Sequence, residues 1–183
     1  MASSMLPALL LFVAFTAAGI AAAETTPLDE VCGQLGGFYV TPELCASALC
    51  SDPTSPCRAA GDAPAVAALA VRLAARNATA TKASVEAALS SSNATFAGAE
   101  VTKGLQACLE LYAGAVTALQ WAAASVAAGQ YRGAREVLQA AEYIPAGCNG
   151  MAGDVAALPK ENGGFSYMAM VAHAVVASRI RDY

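Results

Sequence analysis

The stretch that decides the fold is residues 108–148, CLELYAGAVTALQWAAASVAAGQYRGAREVLQAAEYIPAGC. It has a helical pattern that is broken once, at Gly129, and it carries a cysteine at each end. Gly129 lies 21 residues after Cys108 and 19 residues before Cys148. At about 1.5 Å of rise per residue, each helical leg is about 30 Å long. The two sulfurs therefore meet if the chain folds back at Gly129 as an antiparallel helical hairpin.

The apolar residues of this hairpin recur in alternating steps of three and four, which is the periodicity of helices in a bundle. Another helix is predicted from Asp62, its N-cap, through Pro64 to about Leu89. A glycine-rich loop, with Gly147, Gly150, Gly153 and then residues 162–164, is predicted to lead to a last helix near the C-terminus. Short connections make neighbouring helices antiparallel. We therefore expect an all-α protein, an up-down-up-down four-helix bundle over residues 62–183. The predicted buried positions are Leu105, Leu109, Tyr112, Val116, Leu119, Ala123 and Val126 in the second helix (about 95–128), Ala134, Val137, Ala141, Ile144 and Cys148 along the third (131 to about 144), and Met168, Val171, Ala172, Val175, Val176 and Ile180 in the last.

Four more cysteines lie in residues 24–61, which we expect to form a helical hairpin that extends the bundle at its N-terminus. The short loop from Cys50 to Cys57 contains two prolines and is expected to close on itself. Six cysteines allow many connectivities, so the choice depends on locality and on the hairpin register. The predicted disulfides are Cys32–Cys45, Cys50–Cys57 and Cys108–Cys148.

Residues 1–23 are predicted to be a signal peptide. Residues 6–23 are apolar and uncharged, and they end in three alanines before Glu24, a small-residue cleavage pattern. The alternative is an uncleaved anchor, since 18 apolar residues nearly span a bilayer, but the small-residue ending favours cleavage. We therefore expect one secreted domain, residues 24–183, that is not associated with a membrane after cleavage. Disulfides suit such an oxidising compartment.

Composition and charge argue against several functions. The net charge is −4 without a basic cluster, which disfavours nucleic acid as a partner. His173 is the only histidine, and carboxylates are not paired at helical spacing for acid–base catalysis. The cysteine spacings do not resemble a zinc site. We therefore expect no enzymatic activity, no metal and no cofactor.

Two glycosylation sequons occur, Asn77-Ala-Thr and Asn93-Ala-Thr. In a secreted chain both asparagines are candidate N-glycosylation sites. Asn93 is the better candidate, because it falls in the predicted connection at residues 90–93, whereas Asn77 falls within the first long helix.

Several short motifs occur in a fixed order along the chain. They are Val31-Cys32, Cys45-x₃-Leu49, Cys108-Leu109-Glu110-Leu111-Tyr112, Gly129-Gln130-Tyr131-x₂-Ala134, and Ala140-Ala141 before Cys148. With this order, and with a separation of 40 positions from Cys108 to Cys148, the chain resembles the plant invertase and pectin methylesterase inhibitor family over residues 28–183. Cys50 and Cys57 are additional, as in a cereal-type or pollen-allergen-like branch.

The resemblance implies a monomeric inhibitor in the apoplast that binds across the substrate cleft of a cell-wall carbohydrate enzyme. It also implies that the first two and last two conserved cysteines are paired. Family members that inhibit invertase often carry Pro-Lys-Phe at the turn between the second and third bundle helices. This chain has Gly129-Gln130-Tyr131-Arg132 there, and Pro159-Lys160-Glu161 lies too far downstream. Pectin methylesterase is therefore the favoured target, with acid invertase as the alternative.

The outer side of the second and third helices is the candidate contact face. Tyrosine and arginine dominate the energetics of many interfaces, although these residues are also common on any solvated helix. A secreted bundle without a target and a carrier of apolar ligands are two further possible functions; alanine-rich seams argue against the cavity that a carrier needs. The candidate contact residues are Gln120, Tyr131, Arg132, Arg135, Glu136 and Gln139.

Overall fold

The computed structural model describes residues 25–51, 57–94, 98–153 and 158–180. The predicted signal peptide and residues 52–56 of the Cys50–Cys57 loop lie outside the described residues. Within them all regular structure is helical. The helices are α1 (Pro27–Gly33), α2 (Pro42–Leu49), α3 (Ala63–Ala94), α4 (Ala99–Ala127), α5 (Tyr131–Ala141), α6 (Ile144–Ala152) and α7 (Glu161–Ile180), with short 3₁₀ helices at Leu35–Phe38 and Cys57–Ala59.

Four columns of helix form the bundle: α3, α4, the pair α5 and α6, and α7. Both α4 and α7 pack against α3 on one side and against α5 and α6 on the other. The predicted all-α four-helix bundle is therefore confirmed. Alanine fills much of its core, and Ala67, Ala70, Ala74 and Ala78 of α3 are fully buried. Such short side chains let the helix axes approach each other closely.

Helix α3 begins as predicted, because the Asp62 carboxylate accepts a hydrogen bond from the Ala65 N–H at 2.7 Å. Its predicted end at about Leu89 is wrong, since the helix continues to Ala94. The hydroxyls of Ser90 and Ser91 each donate at 2.9 Å to a carbonyl one turn earlier. These serines therefore continue the helix instead of starting a connection, and α4 begins at Ala99, later than predicted.

The turn between α4 and α5 forms at Gly129, where the sequence predicted it. Gly129 has a φ of +75°, a left-handed conformation that glycine adopts without a steric penalty. The Gly129 N–H donates to the Val126 carbonyl and the Gln130 N–H to the Ser125 carbonyl, both at 2.9 Å. This Schellman arrangement satisfies the last carbonyls of α4 and reverses the chain.

The third column is not one helix that ends near Ile144, as the sequence predicted, but two. Helix α5 ends at Ala141, and α6 starts at Ile144 with Pro145 in its first turn. Proline lacks an N–H and its ring collides with the carbonyl four residues earlier, so it is tolerated only at a helix start. Gly147 and Gly150, predicted to lie in a loop, belong to α6 and bring Cys148 to the seam.

A buried polar network holds this break in place. Asn162 is 4% exposed, and its side-chain oxygen accepts a hydrogen bond from the Tyr112 hydroxyl at 2.7 Å. Its amide donates to the Pro145 carbonyl at 3.3 Å and to the Asn149 side-chain oxygen at 3.0 Å. Burial raises the pKa of the Tyr112 phenol, which keeps its proton for this bond. The predicted loop at residues 162–164 is therefore wrong, because α7 starts at Glu161.

The buried face of α4 is rotated from the predicted one. Leu105, Tyr112, Leu119 and Val126 are buried as expected. The alternate positions are not the predicted Leu109, Val116 and Ala123, which are only partly buried, but the residues one position earlier, which are all small: Cys108, Ala115 and Ala122. Small residues face α6 and α5 because these helices lie close to α4.

The closest approach is at Gly104 of α4. A Cβ added there would lie 2.7 Å from the Ala152 Cα and closer still to the Met151 carbonyl oxygen. One turn along the same seam, the Cα atoms of Cys108 and Cys148 are 5.0 Å apart and their sulfurs are bonded. The other disulfides join Cys32 to Cys45 and Cys50 to Cys57.

The N-terminal segment packs across one end of the bundle. Its buried residues Leu28, Val31, Leu35 and Leu49 join the core, and the segment contacts α3 and α7. Thr26 and Asp29 form a capping box at α1. Hydrogen bonds from the Thr26 side chain and backbone, with a weaker effect of Arg58, lower the pKa of Asp29. Its capping contribution is therefore present above the unfolded-state pKa and is lost as the pH falls through the lowered value.

Gly104→Ala tests the close contact of α4 with α6. We expect a loss of about 2–3 kcal/mol in unfolding free energy, because the new Cβ must displace the backbone of α6. The matched control is Gly114→Ala on the same helix, where the added Cβ meets nothing within 4 Å and where alanine should add about 0.5–1 kcal/mol. Urea unfolding followed by circular dichroism gives both values, and equal stability of the two variants would contradict the packing at Gly104.

Peptide mapping without reduction tests the disulfides. We expect a Cys108–Cys148 cross-linked peptide, and a Cys108–Cys57 link would overturn the hairpin register. Replacing both Cys108 and Cys148 by alanine should cost about 2–4 kcal/mol of stability, since the disulfide closes a long loop. At low temperature this double variant should still show the helical circular dichroism of the unmodified protein.

Candidate functional site

Helix α5 has one buried and one exposed side. Tyr131, Ala134, Leu138 and Ala141 are buried, in steps of three and four. The rest of the helix is mostly polar, and the exposed side chains include Arg132, Glu136 and Gln139. The Gly129 turn fixes the start of α5, and the Cys108–Cys148 disulfide joins the helix that follows, α6, to α4. The exposed side of α5 is therefore a rigid surface.

The structure does not bring the six predicted contact residues together on one face. At 100° per residue, Arg132 and Glu136 lie on the outermost side of α5, whereas Arg135 and Gln139 lie on the side towards α7. Gln120 of α4 lines a different groove, between α3 and α4, which it shares with Arg72 and Arg76. Arg132 and Glu136 therefore lie on the outward side of α5, and Arg132 also lines a cavity with Ile180 of α7.

Tyr131 is a core residue, contrary to the expectation that it offers a contact surface. Its exposure is 8%, and it packs at the first position of α5, next to the Gly129 turn. The signal was present in the sequence, because Tyr131 continues the series Ala134, Leu138 and Ala141 in steps of three, four and three. Its ring fixes the start of α5 instead of projecting towards a partner.

Arg135 is held partly by its own helix. Its guanidinium Nη2 lies 3.1 Å from Glu136 Oε1, while its Nε is inaccessible to water and has no hydrogen-bond partner. The side chain as a whole is 40% exposed. Arg135 can therefore offer the end of its guanidinium to a partner, in an orientation that Glu136 restricts.

Sequence reasoning missed Trp121, the single tryptophan of the chain. It is 53% exposed on α4, and its ring lies across the seam onto α5. A Cβ added at Gly133 would be 2.8 Å from Trp121 Cη2. The glycine thus leaves the space in which the indole lies. The available signal was a tryptophan outside the predicted buried stripe of its helix.

Leu111 repeats this arrangement farther along α4. It is 38% exposed, and its Cδ1 would lie 3.4 Å from a Cβ added at Gly147 of α6. We call the surface formed by Leu111, Trp121, Arg132 and Glu136 the seam face. It combines two apolar side chains of α4 with two exposed charged side chains of α5, of which Glu136 is paired with Arg135. Tryptophan and arginine are the residue types most enriched in the energetic centres of interfaces.

His173 lies away from the seam face, on α7. Its Nδ1 is 2.7 Å from Glu142 Oε1 at the break between α5 and α6, and its ring makes an edge contact with Phe38 at a centroid distance of 6.3 Å. It therefore ties α7 to the third column and to the N-terminal segment. In the described part of the chain, no group of three His, Cys, Asp or Glu side chains is placed to hold a metal ion.

The two sequons lie at different places on α3. Asn77 is half-buried in the groove between α3 and α4, and the Thr79 hydroxyl of its sequon donates to the Ala75 carbonyl. Asn93 belongs to the last turn of α3 and not to a connection, and its side chain lies outside the described residues. Both remain predicted glycosylation sites.

Comparing Tyr131→Ala with Trp121→Ala tests which of the two aromatic side chains belongs to the core and which lies at the surface. Tyr131→Ala should lower the unfolding free energy by about 3 kcal/mol, because it leaves a cavity beside the Gly129 turn. Trp121→Ala should cost about 1 kcal/mol or less, since half of the indole is in water. Urea denaturation measures both. A larger loss for Trp121→Ala would mean that the indole belongs to the core.

The comparisons with known proteins agree with this architecture. A sequence model described as plant invertase/pectin methylesterase inhibitor matches residues 27–175. Neither a curated protein nor a solved structure matches the chain. No helix of the described residues is long and apolar enough to cross a membrane. The family match spans most of the chain, including the N-terminal hairpin and nearly the whole bundle, and the chain therefore belongs to the plant invertase/pectin methylesterase inhibitor family.

Proposed function

We propose that this protein is a secreted inhibitor of pectin methylesterase that binds across the substrate cleft of the enzyme through its seam face. The observation that carries the proposal is the exposed Trp121, which lies against α5 on a disulfide-held helical hairpin. The family supports an enzyme target, and the seam face supplies the surface that such a target needs. We further propose that the protein has no catalytic activity and acts as a monomer.

Rigidity supports inhibition by direct blocking of a cleft. The Gly129 turn, the Cys108–Cys148 disulfide and the close contact at Gly104 fix α4 relative to α5 and α6. A surface that is already ordered loses little conformational entropy when it binds, so more of the contact energy appears as affinity.

The composition of the seam face supports a protein partner. The Trp121 indole presents a half-exposed apolar ring against Gly133 of α5, and the exposed side of that helix carries Arg132 and Glu136. Central aromatic and arginine side chains surrounded by polar groups are characteristic of energetic centres in protein interfaces.

The choice of pectin methylesterase over invertase depends on the α4–α5 turn. The chain runs Gly129-Gln130-Tyr131-Arg132 there, without Pro-Lys-Phe. Tyr131 is the aromatic residue of this turn that could take the place of the motif's phenylalanine. Because Tyr131 is buried, its ring is not available to a partner. Acid invertase is the alternative target, and a bundle without an enzyme target is the third reading.

The predicted signal peptide and the three disulfides support secretion to the apoplast. Disulfides persist in oxidising compartments and are rare in the cytosol. The cell wall is also where a pectin methylesterase would be met.

Titration of the purified protein separately against pectin methylesterase and acid invertase tests the function. We expect micromolar protein to depress methylesterase activity and to leave invertase mostly unaffected. Inhibition of invertase alone would establish the alternative. If neither enzyme responds across several isoforms and acidic pH values, the protein is not an inhibitor of these enzymes.

Substitutions on the seam face then test the contact surface. Trp121→Ala and Arg132→Ala should each weaken inhibition by about 1–3 kcal/mol, as expected for anchor residues. The matched control is Tyr39→Ala, which removes an aromatic side chain that is 94% exposed on the N-terminal segment. Circular dichroism must show intact folds. If only Tyr39→Ala weakens inhibition, the N-terminal segment is the contact surface.

A further inference from the structure

A cleft of about 470 Å³ lies between α6 and the start of α7, on the other side of α6 from α4. Polar and aromatic side chains line it, including Asn149, Lys160 and Tyr167, together with Glu142 at the break between α5 and α6. Its volume lies in the range of sites that bind small molecules. None of these side chains belongs to the seam face.

The buried network behind this cleft orients Asn149. Asn162 uses its whole side-chain amide, since it accepts from Tyr112 and donates to Pro145 and Asn149. Because the Asn149 side-chain oxygen is the acceptor of one of these bonds, its Nδ2 must point away from Asn162. Two N–H donors are thereby presented at the wall of the cleft, fixed by a group that is 4% exposed.

Tyr167 provides a flat apolar surface. It is 61% exposed on α7, although large aromatic side chains are usually more buried. An aromatic ring beside hydrogen-bond donors suits a sugar, because one face of a pyranose carries C–H groups and its rim carries hydroxyls.

The charges of the cleft favour a single carboxylate. Lys160 is its one cationic lining residue, and it has no ion-pair partner within the described ranges. The Glu142 carboxylate already contacts His173 Nδ1 at 2.7 Å, so it is engaged away from Lys160. One free ammonium matches one carboxylate through a charge-assisted hydrogen bond, and it would be too little for a di- or triphosphate.

We propose that this cleft binds a uronic acid residue of an acidic oligosaccharide, with Lys160 at its carboxylate, Tyr167 under its ring and Asn149 Nδ2 at a ring hydroxyl. The site does not depend on the seam face or on inhibition. An inhibitor that holds such a sugar would remain attached to an acidic polysaccharide while the seam face contacts its target.

Binding is tested with the isotope-labelled, disulfide-bonded protein and three probes: digalacturonic acid, its methyl ester and galactose. Amide shifts in two-dimensional NMR spectra are followed during titration. We expect saturable shifts around Asn149, Lys160 and Tyr167 with a dissociation constant of about 1 mM or lower for the acid. The ester should bind at least about tenfold more weakly. Galactose should bind more weakly than the acid.

Matched variants assign the contacts. Lys160→Met should weaken binding of the acid by about tenfold and abolish its preference over the ester. Tyr167→Ala should weaken binding of both. The controls are Lys103→Met, an exposed lysine that lines a separate surface with Glu110, and Tyr39→Ala on the N-terminal segment; neither should change binding.

Three results would overturn the site: no saturation up to about 20 mM acid, well above the millimolar affinity expected; equal binding of acid and ester; or equal losses in the control variants. Since the target enzyme is absent, failure here is distinct from failure of inhibition.

Discussion

The structure depends most on how closely α4 approaches α6. At Gly104 the backbone of α6 occupies the space of a side chain, and one turn later Cys108 and Cys148 are bonded across the same seam. Two helices this close cannot both present large residues at their contact. The positions of α4 that face α5 and α6 are therefore small, and the larger apolar residues lie to either side. The rotation of the buried face of α4 relative to its sequence pattern follows from this one constraint.

The parts of the fold that depend on local chemistry could be predicted from the sequence. Asp62 starts a helix through its own carboxylate, and Gly129 reverses the chain through its own backbone freedom. Periodicity predicted the long helices and the bundle. The choice between Leu109 and Cys108 as a buried residue was not local, because it depends on the distance to a helix about 40 residues away. Hydrophobicity favoured the larger residue, whereas the narrow seam required the smaller one.

The third column also could not be predicted from local sequence, in this case because of a buried polar network. The glycines from Gly147 to Gly164 predicted a long loop after the third helix. The structure instead keeps Gly147 and Gly150 in α6 and starts α7 at Glu161. Asn162 is what makes this possible, since its amide satisfies Pro145 and Asn149 while Tyr112 donates to it. A single polar side chain that hydrogen-bonds to two other columns of the bundle has no signature in a sequence pattern. Leaving a buried amide without partners costs free energy, which explains why every polar group of Asn162 is hydrogen-bonded.

Packing also explains why the candidate site was only partly predictable. The helices were identified, but two aromatic side chains were not placed correctly. Tyr131, expected at the surface, fills the core beside Gly129, and Trp121, to which the sequence assigned no role, is exposed. Both results follow from small residues at the seams. Gly133 of α5 and Gly147 of α6 face α4, and their missing side chains leave shallow notches on the outer surface of the seam. Between the axes of α4 and these helices there is no room for a large side chain. Trp121 and Leu111 lie in those notches, partly buried by the opposite helix and partly in water. The tightness of the core thus creates the exposed apolar surface, and the same hairpin that stabilises the fold presents the residues suited to a partner.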